Sequence, residues 1–173
     1  MIMNKKLIYY FLVFVFLTTG ISKDFEGVSS VNRKITAKQQ GMIKQAKALQ
    51  AAGLFDEAII AYENIFNTYP NLREVFLPLK KLYLNNNQLD NAQLIAKEYI
   101  DSNKKNMASK IDAFDIYIIS DNNYWEVIIK DILDLKSKNY NYIKKIISIL
   151  LNNNKENDAI NVIQNIRLEP NRK

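Results

Sequence analysis

One short phrase recurs along this chain at an interval of about 34 residues, and that period constrains the fold more than any other feature. Its clearest copy is Ala51-Ala-Gly-Leu-Phe-Asp-Glu-Ala-Ile-Ile-Ala-Tyr62. Ala92 follows Ala58 by 34 residues and Asn87 follows Gly53 by 34, with Tyr83, Leu89 and Ala96 at matching positions. Leu150 to Ala159 repeats the phrase near the C-terminus. Between them Asp121 to Val127 is a fainter copy, with Tyr124 in the place of Phe55 and Val127 in the place of Ala58. In all four units a Gly or Asn stands five residues before the small apolar residue: Gly53, Asn87, Asn122 and Asn154. Those two residue types best tolerate the left-handed conformation that ends a helix, so each is expected to mark a turn between two helices.

Two helices joined by so short a turn run antiparallel, and they approach closely only where a small side chain sits at their crossing with a large one filling the gap beside it. Ala58, Ala92 and Ala159 are the small residues here, and Tyr62 is the large neighbour of the first. Upstream, Met42, Ala46 and Leu49 are spaced by four and three, as one buried stripe of a preceding helix requires. With Pro70 as terminator, the segment from Ala51 resembles the second half of a tetratricopeptide repeat. The resemblance spans about residues 36–170. It implies an all-α fold of eight helices in antiparallel pairs, stacked as a right-handed superhelix of about four repeats. Departures occur where Lys80, Asp115 and Ile147 replace the small residue that Ala46 supplies, where Asp131 stands for Tyr62, and where Glu156 stands for Phe55. The third unit also lacks a terminal proline.

In proteins of that family the first helix of each pair lines a concave face that binds peptides. The matching positions are Gln40, Ile43, Lys47 and Gln50 in unit one, and Glu74, Leu77, Lys81 and Leu84 in unit two. In unit four they are Asn141, Lys144, Ser148 and Leu151. Each set is spaced by three and four and forms one helical face. Isoleucine and leucine beside lysine suits an apolar, acidic peptide. The carboxylate clamp of the cytosolic chaperone-binding members is not matched, because Ile43 and Pro78 stand where polar residues are needed.

Local signals agree with helices. Thr36-Ala-Lys-Gln39 has the form of a capping box and predicts a helix start, and Asn71-Leu-Arg-Glu74 predicts another. Pro78 lies inside the second of these helices and is expected to bend it, since it has no N–H for the Glu74 carbonyl. Ile143, Ile146, Ile147 and Leu150 form one apolar stripe. Four glycines and three prolines are too few for a protein built on tight β-turns.

Residues 1–22 read as an address. Lys5 and Lys6 precede the apolar run Leu7–Leu17, and small residues follow at Thr18-Thr-Gly20 and Gly20-Ile-Ser22. That order is the one a secretory signal peptide has, with cleavage after Gly20 or Ser22. The uncharged run of residues 7–22 would span about 24 Å as a helix, short of the roughly 30 Å of a hydrocarbon core. Snorkelling by Lys6 and Lys23 narrows the deficit, so an uncleaved anchor in the inner membrane is the alternative. Either way residues 23–35 are a polar linker and residues 36–173 the repeat domain. The richness in Asn, Ile and Lys suits an AT-rich bacterial genome, which makes the expected compartment the periplasm or cell envelope.

The chain contains no cysteine and no histidine. Disulfides, thiol nucleophiles, lipoprotein acylation, zinc clusters and histidine bases are thereby excluded, and no cofactor, metal or small-molecule substrate is expected. Asp112 with Asp115, and Asp131 with Asp134, are spaced by three, but nothing converges on them and they read as solvated helix faces. Trp125, the single tryptophan, reads as a filler between repeats and not as a ligand platform. The formal charge is +6, and the lysines are scattered in pairs without an aromatic-interleaved basic stripe, which argues against nucleic acid. The sequence therefore predicts a non-catalytic adaptor or scaffold that binds a protein partner. A membrane-anchored structural subunit, whose N-terminus and repeats serve assembly or oligomerisation, is the alternative.

Overall fold

The computed structural model describes residues 35–134 and 140–167, and every regular element among them is a helix. In chain order they are α1 (Ala37–Ala51), α2 (Phe55–Thr68), α3 (Arg73–Asn85), α4 (Leu89–Ser102), α5 (Met107–Ile119), α6 (Tyr124–Leu133), α7 (Tyr140–Asn152) and α8 (Glu156–Arg167). The leader, most of the linker and Pro170 lie outside the described residues. Among the described residues no helix is long and apolar enough to cross a membrane.

The architecture repeats at the level of backbone hydrogen bonds. Residues Gly53, Asn87, Asp121 and Asn154 all have positive φ, of 77°, 56°, 50° and 56°. Each donates its N–H to the carbonyl three residues back, and the next residue donates five residues back: Leu54 to Leu49, Gln88 to Tyr83, Asn122 to Tyr117 and Lys155 to Leu150, at 2.8–3.1 Å. This left-handed closure satisfies carbonyls the ending helix leaves orphaned. In unit three the left-handed residue is Asp121 and not Asn122, which corrects the position expected from the sequence. Asp121 keeps the 34-residue step from Asn87, whereas Asn122 uses its side-chain oxygen to accept from the Tyr124 N–H at 3.0 Å. Because only a residue without a Cβ adopts this conformation at no cost, Asn87→Ala is expected to lose about 1–2 kcal/mol in urea unfolding, while Asn87→Gly should lose nothing.

Helix starts follow two chemistries. Thr36 caps α1 as expected, with its side chain accepting from Gln39 N–H and Gln39 Oε1 accepting from Thr36 N–H at 2.8 Å. The second box does not form, because α3 begins at Arg73 behind the buried Leu72, which places Asn71 too early to cap it. Helix α3 runs unbroken through Pro78. Asn106 caps α5 in turn, accepting from the Ser109 N–H at 2.8 Å.

Each helix packs on the one before it. One continuous core results, with Ala58, Ala92 and Ala159 all wholly buried at the crossings. Tyr62, Phe66 and Phe76 fill the adjacent space, and Phe76 stacks on Tyr99 at 4.0 Å between centroids. In unit three Trp125 is buried while Val127 is 46% exposed, so Val127 does not take the place of Ala58. The buried indole lies two residues earlier, and Lys155 Nζ sits over its ring, 5.2 Å from the centroid. Helix α5 also packs side by side with α7, and α6 with α8. Among the described residues α1 and α3 are not packed so closely, and a cavity opens between them.

Candidate functional site

The cavity has a volume of about 730 Å³ and is walled by α1 and α3, with Phe55 and Tyr62 of α2 behind them. Lys47, Gln50 and Ala51 come from α1. Arg73, Glu74, Leu77, Pro78, Lys81, Leu82 and Asn85 come from α3. The mixture follows from helical spacing: Glu74, Leu77, Pro78 and Lys81 step by three, one and three along the face of α3 that looks towards α1. Phe55 is 51% exposed and borders the groove. Tyr62 is fully buried, and its hydroxyl donates to Gln50 Oε1 at 3.2 Å, which fixes the amide at the groove floor. Burial pushes the Tyr62 phenol above its ordinary range, so it stays a neutral donor.

Five of the residues expected on a partner-facing surface line this cavity: Lys47, Gln50, Glu74, Leu77 and Lys81. Lys47 and Lys81 are exposed and carry no ion pair among the described residues. Ile43 does not belong with them. It is 5% exposed, because its position on α1 turns it into the core beside Ala46. Leu84 and Leu151 are half-buried against the core, and Lys144 lies exposed on α7; none of the three borders the cavity. Phe55, Arg73 and Pro78 border it without having been singled out for it. A contiguous reading of the α3 face from Arg73 to Lys81 would have found the latter two.

Next to the groove lies a cluster of charges that corrects the reading of Asp112 as a solvated residue. Asp112 is 4% exposed. Its Oδ2 accepts from Arg73 Nε at 2.6 Å and from the Tyr99 hydroxyl at 3.3 Å, and its Oδ1 accepts from Arg73 Nη2 at 3.1 Å and Lys145 Nζ at 2.8 Å. Lys80 Nζ donates to the Asp112 carbonyl at 2.7 Å and to both Asp115 carboxylate oxygens at 2.9 Å. Side chains of α3, α5 and α7 are therefore joined through charge. Burial alone would raise the Asp112 carboxyl, but the hydrogen bonds and charges of Arg73 and Lys145 overcome it and hold the group below the usual carboxylate value. Bonding to Asp112 likewise raises the Arg73 guanidinium further. Burial, with the Asp112 charge, pushes the Tyr99 phenol well up.

Lys80 and Asp115 occupy the positions where Ala46 permits close approach in unit one. Opposite charges at equivalent places in successive units predict a bridge across them, and that signal was present in the sequence. Of the other acidic pair, Asp131 is half-buried and bonded to Lys110, while Asp134 is exposed. Among the described residues no group of three or more carboxylates is placed to hold a metal ion. No family model matches the chain, and a search of curated proteins finds no match to it either.

Proposed function

We propose that this protein is a non-catalytic adaptor of the bacterial cell envelope, a tetratricopeptide-like array of about four repeats forming a right-handed superhelix, whose groove between α1 and α3 takes a segment of a protein partner. The observation that carries this reading is the cavity itself, where Lys47 and Lys81, one from each of two successive first helices and 34 residues apart, flank Leu77 and the exposed Phe55. An open apolar strip edged by ammonium groups that carry no ion pair among the described residues is suited to a peptide, whose apolar side chains provide the affinity and whose charges provide the register. The absence of cysteine and histidine from the sequence weighs against catalysis. Export rests on the apolar run of residues 7–17 and its small-residue exit, and the N-terminal mass of the protein from its own envelope fraction tests it: a start at Ile21 or Lys23 supports cleavage, an intact Met1 in the membrane supports the anchored structural subunit.

The groove makes its own prediction. Leu77→Asp should weaken capture of a partner recovered by pull-down from envelope extract at least tenfold, by placing a charge in the apolar strip. Lys81→Ala should cost only about 0.2–1 kcal/mol, as an exposed charge contact does. Equal affinity for both variants and the parent, with unfolding unchanged, would move the binding surface elsewhere.

A further inference from the structure

Arg73 belongs to the groove and to the charge cluster at once, and this double membership says how the groove selects its occupant. Its guanidinium offers five N–H donors in a rigid fork. Nε and one Nη2 hydrogen are taken by the two oxygens of Asp112, which is itself fixed by Lys145 and Tyr99. The side chain remains 52% exposed and lines the cavity. One carboxylate is thus shared by two cations, so the cluster keeps a positive charge at the wall of the groove. Lys47 and Lys81 add to it, and Glu74 is the one anionic side chain among the lining residues. A guanidinium already immobilised loses little freedom on meeting an anion, whereas the flexible lysines must be ordered first.

We infer that the groove's occupant is an acidic, apolar peptide segment whose carboxylate is bound by Arg73, and that Asp112 positions that guanidinium from behind. The inference rests on the groove being the partner site. It differs from a general attraction of acid to lysine in naming one anchor and one positioning residue.

A random-peptide library displayed on phage and panned on the immobilised full chain tests it. Recovered peptides should combine Asp or Glu with large apolar residues. For one such peptide, Glu→Gln at the acidic position should weaken binding about tenfold to the parent protein. With Arg73→Gln that Glu-to-Gln ratio should fall to about one, while affinity for the Gln peptide stays unchanged. Asp112→Asn should lower the ratio in the same way if it folds. General damage would instead weaken both peptides together, so the ratio separates positioning from stability. A ratio left intact in Arg73→Gln, or recovered peptides that are apolar without acid, overturns the inference and leaves the groove in place. Peptides that bind Leu77→Asp as well as the parent, or a library from which nothing is retained, overturn the groove reading as well.

Discussion

Phe76→Ala is expected to destabilise the protein by about 3–5 kcal/mol, a large share of what holds a domain of this size together. The ring is wholly buried, lies on the core side of α3, and stacks on Tyr99 with 4° between ring planes. Removing it deletes the transfer free energy of the ring and leaves a void that two packed helices cannot close without moving. It also strips the stacking partner from the phenol that bonds Asp112, so the damage spreads to the charge cluster. Phe55→Ala is the control. That ring is half exposed, and its loss should change unfolding by less than about 1 kcal/mol while still weakening peptide binding. Urea unfolding of both variants, read by circular dichroism, distinguishes a core phenylalanine from a groove one. Equal losses would contradict the burial of Phe76.

Asp112→Ala is the second large effect. Removing one member of a buried ion pair leaves the rest uncompensated and typically costs about 3–5 kcal/mol. Arg73 and Lys145 are roughly half exposed and regain water, which lowers the expectation to about 2–3 kcal/mol, much of it from the buried Tyr99 hydroxyl left without its acceptor. The pH dependence follows by linkage. The folded carboxyl is depressed below its unfolded value near 3.9, so its stabilisation is complete above about pH 5 and is lost as pH falls below about 4. The tyrosines act at the other end. Tyr99 and Tyr83 are raised well above the ordinary value of 10, and Tyr117 is pushed up to about 12, chiefly by burial. A raised phenol contributes stability that is full below pH 10 and lost above it. Unfolding midpoints against pH should therefore show a plateau with an acid shoulder, and Asp112→Ala should remove that shoulder while leaving the alkaline fall. A shoulder that survives the substitution would assign the acid sensitivity to other carboxylates.

The repeat and its turns were legible in the sequence because they depend on residue type at fixed positions. A left-handed turn favours glycine or asparagine, and a close crossing favours alanine. Where the sequence misled, a second chemistry satisfied the same geometry. Asp121 adopts the left-handed angle that Asn122 was expected to take, since aspartate shares enough of asparagine's tolerance. In unit three Trp125, two residues before Val127, is the buried residue and Val127 is exposed. Ile43 stands at a position that the family resemblance puts on the open face, but in this chain it is buried in the core with Ala46. Asp112 was missed for a different reason. Its partners stand 39 and 33 residues away on other helices, and local spacing carries no information about them.

The gap between α1 and α3 has a mechanical consequence. In a linear array, cooperativity is set by the free energy at each junction, and a weak junction lets one module fray while the others persist. Units three and four are welded by α5 against α7 and by α6 against α8, and units two and three by the salt links of Lys80 and Arg73. Unit one meets its neighbour chiefly through α2 against α3, with open space where a second contact would lie. A ligand seated in that space would act as mortar, supplying the missing junction and binding only the docked form of α1. Among the described helices, amide exchange in α1 should then be the fastest in the free protein and should slow most steeply on saturation, so that protection of this one helix reports occupancy of the groove.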